Sequence, residues 1–118
     1  MRFSRVLFLV LAAMLSGCGQ SSSTAPAFGE AQSRQLQPQD PDLAAIYQRS
    51  CRSCHTLATT GAPLTGDTAA WAPRMDKGMD VLLQSVINGF GGMPPFGLCM
   101  DCTPEQFTAL IQFMATGE

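Results

Sequence analysis

Cys51-Arg52-Ser53-Cys54-His55 is the stretch on which the reading of this chain turns. On one helical turn the sulfurs at i and i+3 face the same way, and the imidazole at i+4 projects beside them. This is C-x-x-C-H, the attachment signature of c-type haem: both thiols add to vinyl groups of the macrocycle and the histidine binds its iron. His55 is the only histidine of the 118 residues, so its place directly behind a cysteine pair is a poor candidate for coincidence. The competing reading is a zinc site of Cys51, Cys54, Cys99 and Cys102. Its two pairs are spaced more widely than zinc ribbons use, and it leaves His55 without a task.

An iron held by one imidazole takes a second axial ligand, and a soft thioether there raises the reduction potential relative to a second histidine. Met79 and Met114 lie on apolar helical stripes and read as core, Met75 sits beside Pro73, and Met100 is enclosed between two cysteines. Met93 differs from them. Gly91-Gly92 before it allow close approach to a ligand, and Pro94-Pro95 after it hold the chain extended. Met93 is therefore the expected second ligand.

The N-terminus reads as an address. Arg2 and Arg5 precede the apolar run Val6 to Leu15, which is too short to span a bilayer, and small residues follow. Leu15-Ser16-Gly17-Cys18 resembles a bacterial lipobox, which implies a signal peptide over residues 1–17 and a lipidated Cys18. In lipoproteins an Asp after the lipidated cysteine commonly marks inner-membrane retention; here Gly19 stands there, so the resemblance favours the outer membrane. From Gly19 to Gln39 the chain is rich in Ser, Gln, Ala and Pro without a period. It reads as a flexible tether with roughly 25 Å of root-mean-square reach, giving residues 18–39 as lipidated terminus and tether.

The folded unit is then expected over residues 40–118, where a core alone rarely supplies more than about 3–5 kcal/mol of net stability. Helix signals dominate it. Asp40 caps a helix with Pro41 at its first position and Leu43, Ile46 and Tyr47 on one stripe, and Asp67 caps a short helix through Trp71, perturbed by Pro73. Met79, Leu82, Leu83, Val86 and Ile87 form a third stripe, and Thr103-Pro104-Glu105-Gln106 opens a last helix with a capping box. Phe90 to Gly97 reads as an extended, stiffened loop. No useful strand alternation, phosphate-binding glycine loop or nucleophile motif occurs, and a net charge of −2 argues against a nucleic-acid partner.

With Cys18 lipidated and Cys51 and Cys54 on haem, Cys99 and Cys102 remain as a pair in an oxidising compartment, and a disulfide is the economical reading. A redox-active dithiol is the sharper alternative, but no basic residue stands near the pair in sequence.

These residues, taken together, resemble the class I monohaem c-type cytochromes of the cytochrome c₅ type. Tyr47 before the C-x-x-C-H motif, Gly61-Ala62-Pro63, Gly66-Asp67, Ala70-Trp71-Ala72-Pro73-Arg74, Gly78-Met79, Gly89, Met93-Pro94-Pro95 and Cys99-x-x-Cys102 follow that pattern in order. The resemblance implies a small all-α fold packed around one covalent haem, with the first and last helices crossing. It implies that the Pro63 carbonyl orients His55, and that Trp71 and Arg74 line the pocket or bond a haem propionate. The function it implies is one-electron transfer between redox proteins on the periplasmic side, without bond-making catalysis, because both axial positions are filled. Two alternatives stay open: a haem enzyme or gas sensor with a labile Met ligand, and a fixed subunit of an oxidase or reductase complex.

Overall fold

A computed structural model describes residues 27–118. Among them the architecture is helical, with no strand beyond one isolated bridge between Phe90 and Met93. No helix among the described residues is long and apolar enough to cross a membrane. The expected signal peptide over residues 1–17 and the expected lipidation site Cys18 lie outside the described residues.

The helices are α1 (Glu30–Ser33), α2 (Pro41–Ile46), α3 (Arg52–His55), α4 (Thr68–Met75), α5 (Met79–Asn88) and α6 (Pro104–Thr116). Their starts follow the chemistry of the caps. The Asp40 carboxylate accepts from the Asp42 and Leu43 amides, and Asp67 accepts from the Ala70 amide. Thr103 and Gln106 exchange side-chain and backbone hydrogen bonds across the first turn of α6. Between α2 and α3 the chain stays helical but widens into a π turn, Tyr47–Cys51, a distortion found mostly at functional sites. α4 continues to Met75 with Pro73 inside it, two turns of helix short enough and exposed enough there to tolerate one missing donor.

Ile46, Tyr47, Trp71, Val86, Cys99, Phe107, Leu110, Ile111, Phe113, Met114 and Ala115 form the buried cluster. α6 contributes most of it and packs against α2, α4 and α5. Tyr47 meets Phe113 edge-on with ring centroids 5.1 Å apart, and its hydroxyl donates to Thr65 Oγ1 at 2.9 Å, so a buried polar tip is satisfied. Met114 is core as expected, and Met79 is half-buried against it.

Two sequence expectations are corrected. The expected tether of residues 18–39 does not extend to Gln39, because α1 folds back onto the domain, Ser33 and Pro38 are buried and Leu36 packs on the core. The physical reason is tertiary: a four-residue helix shows no period in sequence, and its stability comes from hydrogen bonds to distant residues. The Phe90 to Gly97 loop is also not uniformly extended. Phe90 and Met93 pair through both backbone bonds (3.0 and 2.9 Å) around Gly91-Gly92, and Pro95–Leu98 forms a 3₁₀ turn.

Candidate haem site

α3 carries Cys54 and His55, and the π turn before it ends on Cys51. All three line a cavity of about 660 Å³, within the range of small-molecule and cofactor sites. Met93, from the loop between α5 and α6, lines the same cavity, together with Trp71, Pro63, Arg74 and the apolar side chains of Leu82, Val86, Phe107, Leu110 and Ile111. The structure thus brings together every residue that the sequence marked for iron and haem.

His55 is buried, and its Nδ1 lies 2.8 Å from the Pro63 carbonyl. A carbonyl only accepts, so Nδ1 is the protonated nitrogen and Nε2 keeps the lone pair a metal needs. Burial holds the imidazole below its usual pKa, against the Pro63 bond, with the nearby Arg74 cation lowering it further. A neutral ring is the form that ligates. The His55 backbone is fixed as well: its carbonyl accepts from the Thr65 amide at 2.7 Å and from the Ser33 hydroxyl at 3.2 Å.

Trp71 stacks on His55, ring centroids 5.8 Å apart, and its indole N–H donates to the Leu64 carbonyl at 2.9 Å. That donor is spent on backbone, so Trp71 serves as a wall of the cavity and does not offer its N–H to a propionate. Arg74 keeps the cavity position expected of it while one guanidinium nitrogen donates to the Ala70 carbonyl. Lys77, in the turn that follows α4, also lines the cavity, its amide bonded to the Arg74 carbonyl at 3.1 Å.

Cys51 and Cys54 are free thiols, half-buried and exposed respectively. Burial, and then the adjoining Cys54, push the Cys51 thiol up to about 11, so it is the protonated thiol at neutral pH. Cys99 and Cys102 are joined by a disulfide, Cα atoms 5.4 Å apart, which removes the four-thiolate zinc reading.

The Met93 wall is made differently. Gly89 has φ +79°, and a Cβ there would lie 2.8 Å from the Met93 carbonyl oxygen, so a side chain at this position collides with backbone. Phe96 (φ 58°), Gly97 (φ 54°) and Leu98 (φ 67°) are all left-handed, a conformation costing a non-glycine residue roughly 1–2 kcal/mol. The Phe96 ring packs 6.4 Å from that of Phe107, and the disulfide closes the turn directly after Leu98. Arg49 reaches over from the π turn to Asp101 Oδ2 at 3.1 Å and to Cys99 Sγ at 3.2 Å. The pair therefore does have a basic neighbour, supplied from 50 residues away in sequence. Sequence reading missed Arg49, Ser33 and Thr65, which carry no local signal for these contacts.

A family model described as "Cytochrome C oxidase, cbb3-type, subunit III" matches residues 38–114. Cytochrome c5 of Ectopseudomonas mendocina is 42% identical over 72 residues, covering 59% of this chain and 83% of that protein. Cytochrome c-555 of Chlorobaculum thiosulfatiphilum is 48% identical over 74 residues, covering 59% and 86%. A mono-haem ferrocytochrome c from Shewanella putrefaciens, 45% identical, superposes with a TM-score of 0.57 over 64% of this chain and 94% of its own. The chain belongs to the class I monohaem c-type cytochromes. It carries one covalent haem c with iron, and it is an electron-transfer protein, not an enzyme. The cavity fits that group: two thiols and a lone-pair imidazole nitrogen stand on one wall, a thioether on another, with apolar side chains between and two cations. When bound, the haem supplies a one-electron couple at iron.

Proposed function

We propose that this cytochrome passes single electrons between protein partners from a low-spin iron held by His55 Nε2 and Met93, its haem fixed through thioethers to Cys51 and Cys54. The observation that carries this reading is the cavity shared by His55 and Met93, with His55 Nδ1 already committed to Pro63. The apolar lining would keep water from an iron held there, which favours a low reorganisation cost, and with both His55 and Met93 as ligands no position would be left for a substrate. Arg74 and Lys77 suit the haem carboxylates. The structure of an electron-transfer complex of nitrite reductase with cytochrome c contains a similar chain, 36% identical with a TM-score of 0.57, which supports a protein partner here.

The protein works on the periplasmic side, anchored through lipid on Cys18, with Gly19 favouring the outer membrane. The lipobox resemblance supports this, while Phe28 and Leu36 lie against Gly66 and so belong to the folded domain. The second reading is a fixed oxidase subunit, favoured by the description of the matching family model.

A haem-stained denaturing gel and redox spectra of the full chain, matured in a host with c-type machinery, test the site. Covalent haem with a low-spin spectrum and a methionine-to-ferric-iron band is expected; high-spin iron that binds carbon monoxide overturns it. Fatty-acid labelling that vanishes in Cys18→Ser tests the anchor, and retention in a larger complex at high salt favours the subunit.

A further inference from the structure

α1 and the residue after it touch the axial segment at three points. The Glu30 carboxylate accepts from the Ala58 amide at 2.7 Å, the Ser33 hydroxyl donates to the His55 carbonyl at 3.2 Å, and the Arg34 carbonyl accepts from the Arg52 guanidinium at 2.9 Å. Arg52 lies inside the C-x-x-C pair and Ala58 opens the turn leading to Pro63, so the contacts bracket His55 on both sides. Ser33 is fully buried, where an unbonded hydroxyl is costly, and its bond goes to the backbone of the ligand residue.

The segment is seated by packing as well. A Cβ at Gly66 would lie 2.4 Å from Leu36 Cδ1, and one at Gly117 would lie 3.2 Å from the same atom. Two different elements thus leave room for one side chain of the segment. Gly66 directly follows Thr65, whose amide is the other donor to the His55 carbonyl.

We propose that residues 28–38 form a clamp on the haem-ligand segment, with Ser33 a positioning residue for the axial imidazole. This rests on the reading that His55 ligates the iron. Two donors on the His55 carbonyl fix the peptide from which the ring departs, and hence the angle at which Nδ1–H meets the Pro63 carbonyl. That hydrogen bond makes Nε2 a better electron donor, which favours ferric iron. Loosening it favours the ferrous form.

The full-length holoprotein tests this. Ser33→Ala is expected to raise the ferrous-to-ferric ratio at fixed poise about threefold, which is about 28 mV at 59 mV per tenfold for one electron. The His55 Nδ1 proton of the ferrous protein should also exchange faster with solvent by NMR. Ser33→Thr, which keeps the hydroxyl, should restore both. A lowered melting temperature with unchanged potential and exchange would reduce Ser33 to packing and overturn the proposal. If Ser33→Ala gives no holoprotein, Glu30→Ala decides: shifts in the same direction support the clamp, and unchanged values overturn it. Absence of covalent haem, or of iron-shifted His55 ring signals by NMR, in the unsubstituted protein overturns the ligand reading and the clamp together, and is told apart because it precedes any substitution.

Discussion

The two walls of the haem cavity are built by opposite means. On the His55 wall, the segment that follows the motif supplies the backbone partners: Pro63 takes Nδ1, Thr65 bonds the His55 carbonyl, and Leu64 takes the Trp71 indole. On the Met93 wall, one local turn pairs Phe90 with Met93, and a second, closed by the Gly97 and Cys99 amides, runs through left-handed backbone. That second turn is followed by a disulfide and is met by a guanidinium from far along the chain. The difference separates two tasks. His55 sits in a frame of backbone bonds from the segment that follows it, reinforced by Ser33, while Met93 sits in a loop whose left-handed turn is held by the disulfide and by Arg49.

Exchanging the ligands should give the largest contrast. His55→Ala is expected to yield little or no holoprotein, whereas Met93→Ala keeps covalent haem but becomes high-spin and binds carbon monoxide. Met93→His should stay low-spin and lower the midpoint by ~0.1–0.3 V, within the ~0.8 V span that axial ligands command. Potentiometry with optical spectra checks this; an unchanged potential in Met93→His would erase the contrast. Next comes Gly89→Ala, whose Cβ meets the Met93 carbonyl oxygen and not a yielding side chain. A cost of about 1–3 kcal/mol in denaturant titration is expected, with a rise in high-spin iron.

The same division explains what could be read from sequence. The C-x-x-C-H motif, the Asp40 and Thr103 caps and the α5 stripe are local patterns, and the structure follows them. The loop that carries Met93 was legible because glycine and proline announce backbone behaviour directly. Phe96 and Leu98 were not, because a left-handed non-glycine residue is imposed by its surroundings and leaves no mark in its own identity. Ser33 was hidden in a stretch of serine and glutamine that composition alone marks as tether, since its partner lies 22 residues away. Arg49 was hidden for the same reason, and the π turn that presents it lies in what reads as continuous helix.

Removing the bridge with Cys99→Ala and Cys102→Ala should cost about 2 kcal/mol by loop entropy. On the contrast drawn above, it should weaken Met93 ligation, seen as a smaller methionine-to-iron band. Exchange at His55 Nδ1 should not change. If both walls loosen together, they are one cooperative unit and the division fails.

The smallest effect is expected from the Arg49–Asp101 pair, which is exposed and therefore weak. Hydrogen bonding from Arg49 holds the Asp101 carboxyl below its usual pKa. The folded state thus favours the charged form, so the contribution is present above the unfolded carboxyl value and is lost as pH falls through the lower folded one. Melting curves from about pH 6 to about pH 2 should show a slight advantage of the native chain over Asp101→Asn that disappears only at the acid end. A difference that persists undiminished at the lowest pH would mean that Asp101 acts through its shape in the turn. The Met93 wall would then owe its remote pinning to the disulfide alone.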